Sequence, residues 1–386
     1  MEKTFDEINE RIQSKRAVVM TAEEVVALVK EEGVSSAAKK VDVVTCATFG
    51  AMCSSGAFLN FGHADPPIRM GKIFLNNVPC SGGLAAVDTY IGVTEPSLDN
   101  GITYGGAHVI EDLITGKSVY LHAESSGTDC YPRKSIDTLL TLDDMNQAYL
   151  YNPRNAYQNY SAAINMTNSI IHTYMGTLLP NMGNVTYSTS GEMSPLLKDP
   201  KLRTIGVGTR IFLGGADGMV AWEGTQFKRN VVKVNDGMEY SGATIAVIGD
   251  MKEMNPRYIR GATIQGYGCT LYVGIGIPIP VLDEDLMYDL SRPNDEIYTT
   301  LTDYSTGTRE RSSLGKYNYA QLRSGTITFK GKNIRTAPLS SLFMAREIAL
   351  LLKDKIKGGS FILQKPIRSF PAQQIIKPIT MREVSK

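Results

Sequence analysis

Residues 204–224, TIGVGTRIFLGGADGMVAWEG, lead into ATIAVIGD over 243–250 and CTLYVGIGIPIP over 269–280. Short apolar, β-branched runs broken by Gly-rich turns read as strands, and such signals dominate from Leu202 to Pro280. They mix with helical patterns elsewhere but show no regular βαβ alternation, which argues against a doubly wound parallel sheet. The expected class is therefore α+β (mixed α/β): one large unit with a β-rich body and flanking helices. A division into lobes 1–140 and 141–386 is compatible with it. Gly206-Val-Gly208 lacks a third glycine three residues on, so this stretch is not a dinucleotide fingerprint, and the chain has no P-loop and no HExxH.

Working outward, the N-terminus reads as two helices. The second opens at Thr21-Ala-Glu-Glu24, a capping box, and stops at Gly33. Residues 41–49, VDVVTCATF, alternate into a strand that spills into the small-residue loop Cys53-Ser-Ser-Gly56. Residues 60–106 are rich in Gly, Pro and Asn and read as loops over a scaffold. Residues 107–124 read as a β-hairpin with a three-residue turn at Ile114-Thr-Gly116, a register that sets His108 opposite His122. Residues 142–180, unusually rich in Asn and Tyr, read as helical, with His172 on the segment 156–178. Ser340-SLFMAREIALLLKDKIK reads as a helix that stops at Gly358-Gly359, and the tail beyond Phe361 lies over the body.

The chain has 386 residues, 42% hydrophobic, with 40 basic and 39 acidic side chains. This composition can bury a large core and gives no basic excess for a nucleic-acid surface. No run approaches the roughly 18 apolar residues of a membrane span, and the charged start lacks a signal peptide's apolar segment. A cytoplasmic protein is expected. Five cysteines, odd in number and without a CxxC, do not read as a disulfide framework or a ferredoxin motif.

The cysteines differ in setting. Cys130 follows Ser125-Ser-Gly-Thr128 and precedes Arg133 and Lys134, and nearby cations favour the reactive thiolate. Cys53 lies in a loop after a strand, where a scaffold commonly positions a site. Cys80, in Pro79-Cys-Ser-Gly-Gly83, is compatible with an anion-binding turn, whereas Cys46 and Cys269 fall in apolar strands and read as core. His63, beside Asp65 in a turn-rich segment, is a candidate for proton transfer, as are His108 and His122. The arginines in polar or Gly/Pro-rich contexts (Arg69, Arg133, Arg154, Arg210, Arg257, Arg260) each suit a substrate carboxylate through a bidentate fork, and the substrate implied by the resemblance that follows favours Arg69 and Arg133 for it.

Several long segments then carry a resemblance: NFGHADPPIRM over 60–70, NVPCSGGLAAVDTYIGVTEPS over 77–97, YGGAHVIEDLITGKSVYLHAESSGTDCYPRK over 104–134, GVGTRIFLGGADGMVAWEGTQF over 206–227 and GSFILQKPIRSFP over 359–371. Together they resemble the homocysteine biosynthesis (HcyBio) family of anaerobic bacteria and methanogenic archaea. The resemblance implies a sulfurtransferase that adds sulfur to the aldehyde of L-aspartate semialdehyde and reduces the adduct by two electrons to L-homocysteine. It implies a pair of working cysteines, which by motif are Cys53 and Cys130. Family members often carry CBS domains or work with a ferredoxin-like protein containing a NIL domain. With neither in this chain, electrons are expected from a separate partner of that kind, and sulfur from sulfide or a persulfide donor. A homo-oligomer is also expected.

Two chemistries stay open at this point. Sulfur rides as a persulfide on a cysteine thiolate, with His63, His108 and His122 as proton donors and substrate contacts. Alternatively a [4Fe-4S] cluster, held by Cys53, Cys130 and Cys80 or by the electron-donating partner, carries sulfide. A third possibility is a non-catalytic partner of a ferredoxin-like reductase.

Overall fold

The computed structural model describes residues 2–308, 310–372 and 374–382. Its centre is a ten-stranded sheet whose strands follow in space as Val19–Thr21, Val43–Ala51, Gly268–Pro280, Arg210–Leu213, Ala216–Glu223, Ile245–Asp250, Gln147–Asn155, Gly56–Asn60 and Asp88–Gly92, with Ile259–Ile264 also paired to Gly268–Pro280. All neighbours are antiparallel except Val19–Thr21, which runs parallel to Val43–Ala51. The sheet takes strands from both sides of residue 140. The class is the mixed α/β arrangement expected, a β-rich core with flanking helices.

Gly268–Pro280 is buried along nearly its whole length because both faces of the sheet are covered. Side chains alternate across a strand. Leu271, Val273, Ile275 and Ile277 enter one core, which also holds Val109, Ile110 and Leu113 of a helix. On the other face, the helix Leu342–Lys357 approaches so closely that a Cβ on Gly274 would lie 2.7 Å from Ile348 Cδ1. That second core joins Ile348 and Leu352 to Phe5, Ile8 and Ile12 of the N-terminal helix. The capping box at Thr21 and Glu24 is present as read, and the C-terminal helix ends at Gly358. The tail does lie on the body: Val207 and Ile367 exchange backbone hydrogen bonds across to Arg368 and Val207.

A six-stranded mixed sheet (Ser313–Asn318, Tyr298–Asp303, Ala162–Ile164, Asn184–Tyr187, Lys332–Pro338, Thr326–Phe329) builds a third core. A four-stranded sheet joins Ser135–Leu140, Val119–Glu124, Lys72–Leu75 and Val78–Cys80.

Three local expectations are corrected. Residues 60–106, read as loops, carry the strands Lys72–Leu75, Val78–Cys80, Asp88–Gly92 and Gly101–Gly105. Residues 106–114 form a helix, not the first arm of a hairpin. Ala107, Ile110, Leu113 and Ile114 recur at helical spacing and are buried. Gly116, at φ +81°, ends it in a Schellman arrangement, with Lys117 N donating to Asp112 O and Gly116 N to Leu113 O. The glycine read as a hairpin turn is a helix cap. His108 therefore caps the helix start, its Nδ1 accepting from Gly105 N at 3.2 Å, while His122 lies on a strand opposite Phe74 and Asp137.

The last correction concerns 142–180, which is strand and loop after a single 3-10 turn at Leu142–Asp144, not a long helix. Gln147–Asn155 alternates buried Ala148, Leu150 and Asn152 with more exposed Tyr149 and Tyr151. Tyrosine favours strands and asparagine is weak in helices, so cross-strand packing prevails. His172 sits on the short hairpin Ile171–Thr173/Gly176–Leu178, its Nδ1 3.1 Å from Thr177 Oγ1.

Candidate active site

Cys53 stands where the Val43–Ala51 strand leaves the central sheet. Met52 N donates to Leu271 O and Ser55 N to Met52 O, which fixes the turn that carries the thiol. The sulfur lies 3.1 Å from Thr270 Oγ1 on the neighbouring strand. Burial pushes the Cys53 thiol above the ordinary cysteine range, against hydrogen bonding by Thr270, by its own backbone and by Tyr267, which pull the other way. The resting group is thus a protonated thiol, half-buried and surrounded by hydroxyls.

The thiol opens into a cavity of about 310 Å³ at the junction of the central and six-stranded sheets. This is the size range of small-molecule sites. One wall is made by a β-bulge. The pairing of Gln147–Asn155 with Ile245–Asp250 shifts register between Asn152 and Asn155, and the chain passes through Ala156 at φ +46°. A non-glycine residue in the left-handed region marks a place where the surrounding structure dictates the backbone, and bulges re-aim side chains. Here Arg154, Asn155 and Tyr157 are delivered to the cavity lining. Asn152 holds the bulge to the cysteine loop, its Nδ2 donating to Ser55 Oγ at 2.8 Å.

From Tyr157 the lining continues as an aromatic run. Tyr157 and Tyr160 rings lie 3.9 Å apart, Tyr160 and Tyr174 5.8 Å, and Tyr174 and Tyr267 6.2 Å. Burial holds the Tyr160 and Tyr267 phenols above the ordinary tyrosine range, so both remain O–H donors. Behind them the Arg311 guanidinium stacks 4.0 Å over Tyr304 and donates to the Tyr174 oxygen at 3.0 Å.

The other residues read from the sequence fall elsewhere. Cys130 is exposed on the turn Thr128–Tyr131, closed by Thr128 N to Tyr131 O and Tyr131 N to Thr128 O. Arg133 is engaged with backbone, Nε donating to Pro66 O at 2.9 Å and Nη2 to Asp65 O at 2.7 Å. Its guanidinium clamps the Cys130 turn to the His63 loop, and the His63 ring stacks on Tyr131 at 6.0 Å. His63, Arg133 and Cys130 therefore share one surface corner, and Arg69 is exposed on the same stretch of chain. Cys53 precedes the five-residue strand Gly56–Asn60 and His63 follows it. At about 3.3 Å per residue, that strand separates the two sites.

His108 stacks on Tyr104 at 5.3 Å, its pKa pushed down by burial. His122 Nδ1 lies 2.7 Å from Asp137 Oδ1, which raises its pKa. Neither lines the cavity. Cys46 and Cys269 are buried core residues, and burial pushes Cys46 up to about 12.

Cys80 lies on the strand Val78–Cys80, its thiol also pushed up to about 12 by burial and aimed at Val78 O. Cys53, Cys80 and Cys130 thus occupy three separate places, and no group of three or more metal-ligating side chains forms among the described residues. The donors of one chain do not fit a cluster.

The sequence reading did not single out the lining tyrosines, and named Arg154 only among six arginines without favouring it. Their signal was the Asn/Tyr-rich run after 146, which a helical reading could not direct toward Cys53.

A half-buried thiol in a half-open cavity, with hydroxyl groups around it, has the form of a small-molecule site. The family described as homocysteine biosynthesis enzyme, sulfur-incorporation, matches residues 17–363, and the chain belongs to it. It is 51% identical over 367 residues to the L-aspartate semialdehyde sulfurtransferase of Methanosarcina acetivorans, covering 95% of this chain and 72% of that protein. It is 50% identical over 380 residues to the protein of the same name from Methanocaldococcus jannaschii, with the same coverage. The chain is a sulfurtransferase of homocysteine biosynthesis. No solved structure matches it. No described helix is long and apolar enough to cross a membrane.

Proposed function

We propose that the protein transfers sulfur to the aldehyde carbon of L-aspartate semialdehyde at Cys53, and that reduction of the adduct gives L-homocysteine. The observation that carries this is the placement of Cys53 in the cavity, facing Thr270 and Tyr267, in a chain half identical to proteins named for this substrate.

The chemistry follows from the groups present. A Cys53 persulfide adds its terminal sulfur to the aldehyde carbon, forming a C–S bond while the carbonyl oxygen takes a proton. Tyr267, kept protonated by burial, is placed to supply it. Two electrons and two protons cleave the S–S bond, restoring the Cys53 thiol and leaving a thiohemiacetal. Loss of water gives a thioaldehyde, and two more electrons with two protons give the thiol of homocysteine. When sulfur arrives as sulfide, the first electron pair is not needed. A ferredoxin-like protein is the class of reductant that suits these steps.

Cys130 has a different task in this proposal. On an exposed turn it is open to a donor too large for the cavity and takes sulfane sulfur from it as a persulfide, the donor leaving as its thiol, and a small free thiol then carries that sulfur to Cys53. His63 beside it is the proton carrier of that loading step. Cysteine-by-cysteine substitution with a protein persulfide as sulfur donor, a chemical reductant and aspartate semialdehyde tests the assignment. Cys53→Ala and Cys130→Ala are expected to lose homocysteine formation with the fold intact. Full activity of Cys53→Ala would remove the cavity from the reaction.

A further inference from the structure

We infer that the Cys53 cavity recognises a free α-amino acid, with Arg154 as the anchor of its α-carboxylate and the tyrosine wall with Ser188 as the receiver of its α-ammonium. This rests on the functional reading only for which amino acid is bound. The polarity of the cavity is argued from its own residues.

Arg154 is the one charged side chain among the described residues lining the cavity. Its Nε donates to Thr225 Oγ1 at 2.9 Å, and its backbone N donates to Asn152 Oδ1, so stem and fork are fixed. The two terminal nitrogens enter no hydrogen bond or ion pair among the described residues, which leaves the pair of parallel N–H groups that a carboxylate takes in bidentate fashion. The bulge that re-aims the strand brings Arg154 into the cavity lining, so the register shift between Asn152 and Asn155 gains a reason.

Among the described residues the cavity lining contains no carboxylate, so an ammonium there meets ring faces, phenol oxygens and hydroxyls. Tyr157, Tyr160 and Tyr174 supply the aromatic faces that attract a cation. Ser188 supplies the second observation: the residue lines the cavity, and its Oγ is buried just beneath that surface without a hydrogen-bond partner, so that a rotation about χ1 brings it to a ligand. A buried hydroxyl without a partner is uncommon and costly, and a bound ammonium satisfies it. With carboxylate and ammonium fixed at these groups, the side chain of a short amino acid is left to reach toward Cys53. Arg311 touches no ligand in this scheme and is a positioning residue for Tyr174.

The test uses the full-length protein and two readouts. L-Homoserine, which has no aldehyde, should protect Cys53 from alkylation in a Cys130→Ala background. Arg154→Met should weaken that protection roughly ten- to a hundredfold, the worth of charge-assisted hydrogen bonds. Arg154→Lys, which keeps the charge, should recover part of it, and equal melting temperatures of the variants confirm the fold.

In turnover, Arg154→Met should lose rate on aspartate semialdehyde but not on 3-aminopropanal, which lacks the carboxylate. Succinate semialdehyde, which lacks the ammonium, should show the reverse pattern: sensitive to Arg154→Met and indifferent to Ser188→Ala. No protection by L-homoserine in the parent protein, or equal protection in Arg154→Met, overturns the inference. Protection that follows Arg154 without any turnover of aspartate semialdehyde overturns the proposed reaction alone.

Discussion

The Cys53 sulfur lies 3.1 Å from the Thr270 hydroxyl, across the seam between the cysteine loop and the central strand Gly268–Pro280. Thr270 is fully buried, so the hydroxyl is fixed by the core and the thiol by the hydroxyl. The reactive group is thereby supported from the most rigid part of the molecule.

Because burial raises the Cys53 pKa and the Thr270 hydrogen bond lowers it, the thiolate fraction near neutrality is small and grows with pH. In a Cys130→Ala background, the alkylation rate of Cys53 should keep rising above the pH at which an ordinary thiol levels off, near 8.5. Thr270→Val should move that profile further up. A profile that levels at or below the ordinary value would contradict the burial argument.

Tyr267→Phe removes the phenol beside the thiol and little volume. If that phenol protonates the adduct oxygen, kcat should fall about 100-fold or more, the usual worth of general acid catalysis, with KM nearly unchanged. A change confined to KM would make Tyr267 a wall of the cavity and nothing more.

Much of the scaffold was legible in the sequence. The strands of 202–280, the Thr21 capping box and the C-terminal helix carry local signals strong enough to fix them, since short apolar runs and caps act within a few residues. The corrected segments are those whose outcome depends on distant partners. Ile114-Thr-Gly116 suits a hairpin turn or a Schellman cap equally well by local chemistry, and only packing of Ile110 and Leu113 under the sheet decides. Cys53 and Cys130 were legible as loop thiols, apart from the core cysteines Cys46 and Cys269. Their separation across the Gly56–Asn60 strand was not, because spacing in sequence says nothing about which end of a sheet a loop reaches.

Two glycines check the corrected helix. Gly116→Ala forces a Cβ into the left-handed region and should cost roughly 1–2 kcal/mol, seen as a lower melting temperature. Gly106→Ala should cost more, because its Cβ would lie 1.9 Å from Gly92 O, a backbone atom. Equal, negligible effects at both positions would argue for the hairpin instead.

His122 and Asp137 form an exposed pair in which the carboxylate hydrogen bond raises the imidazole pKa. A raised folded-state pKa contributes stability that is present below the unfolded value and is lost as pH rises through the folded one. NMR titration should place His122 above an ordinary histidine, and Asp137→Asn should bring it down. Homocysteine formation should be indifferent to that substitution, since His122 lies outside the cavity.

The passage of sulfur through Cys53 is open to a single-turnover experiment. The enzyme is loaded with isotopically labelled sulfur, freed of excess donor, and mixed with aspartate semialdehyde and reductant, while peptide mass spectrometry follows each cysteine. The label should be found on Cys53 before mixing and in homocysteine afterwards, with loss from Cys53 matching product formed, and Cys53→Ala should give no labelled product. Labelled homocysteine formed at the full rate by Cys53→Ala would contradict the proposed route.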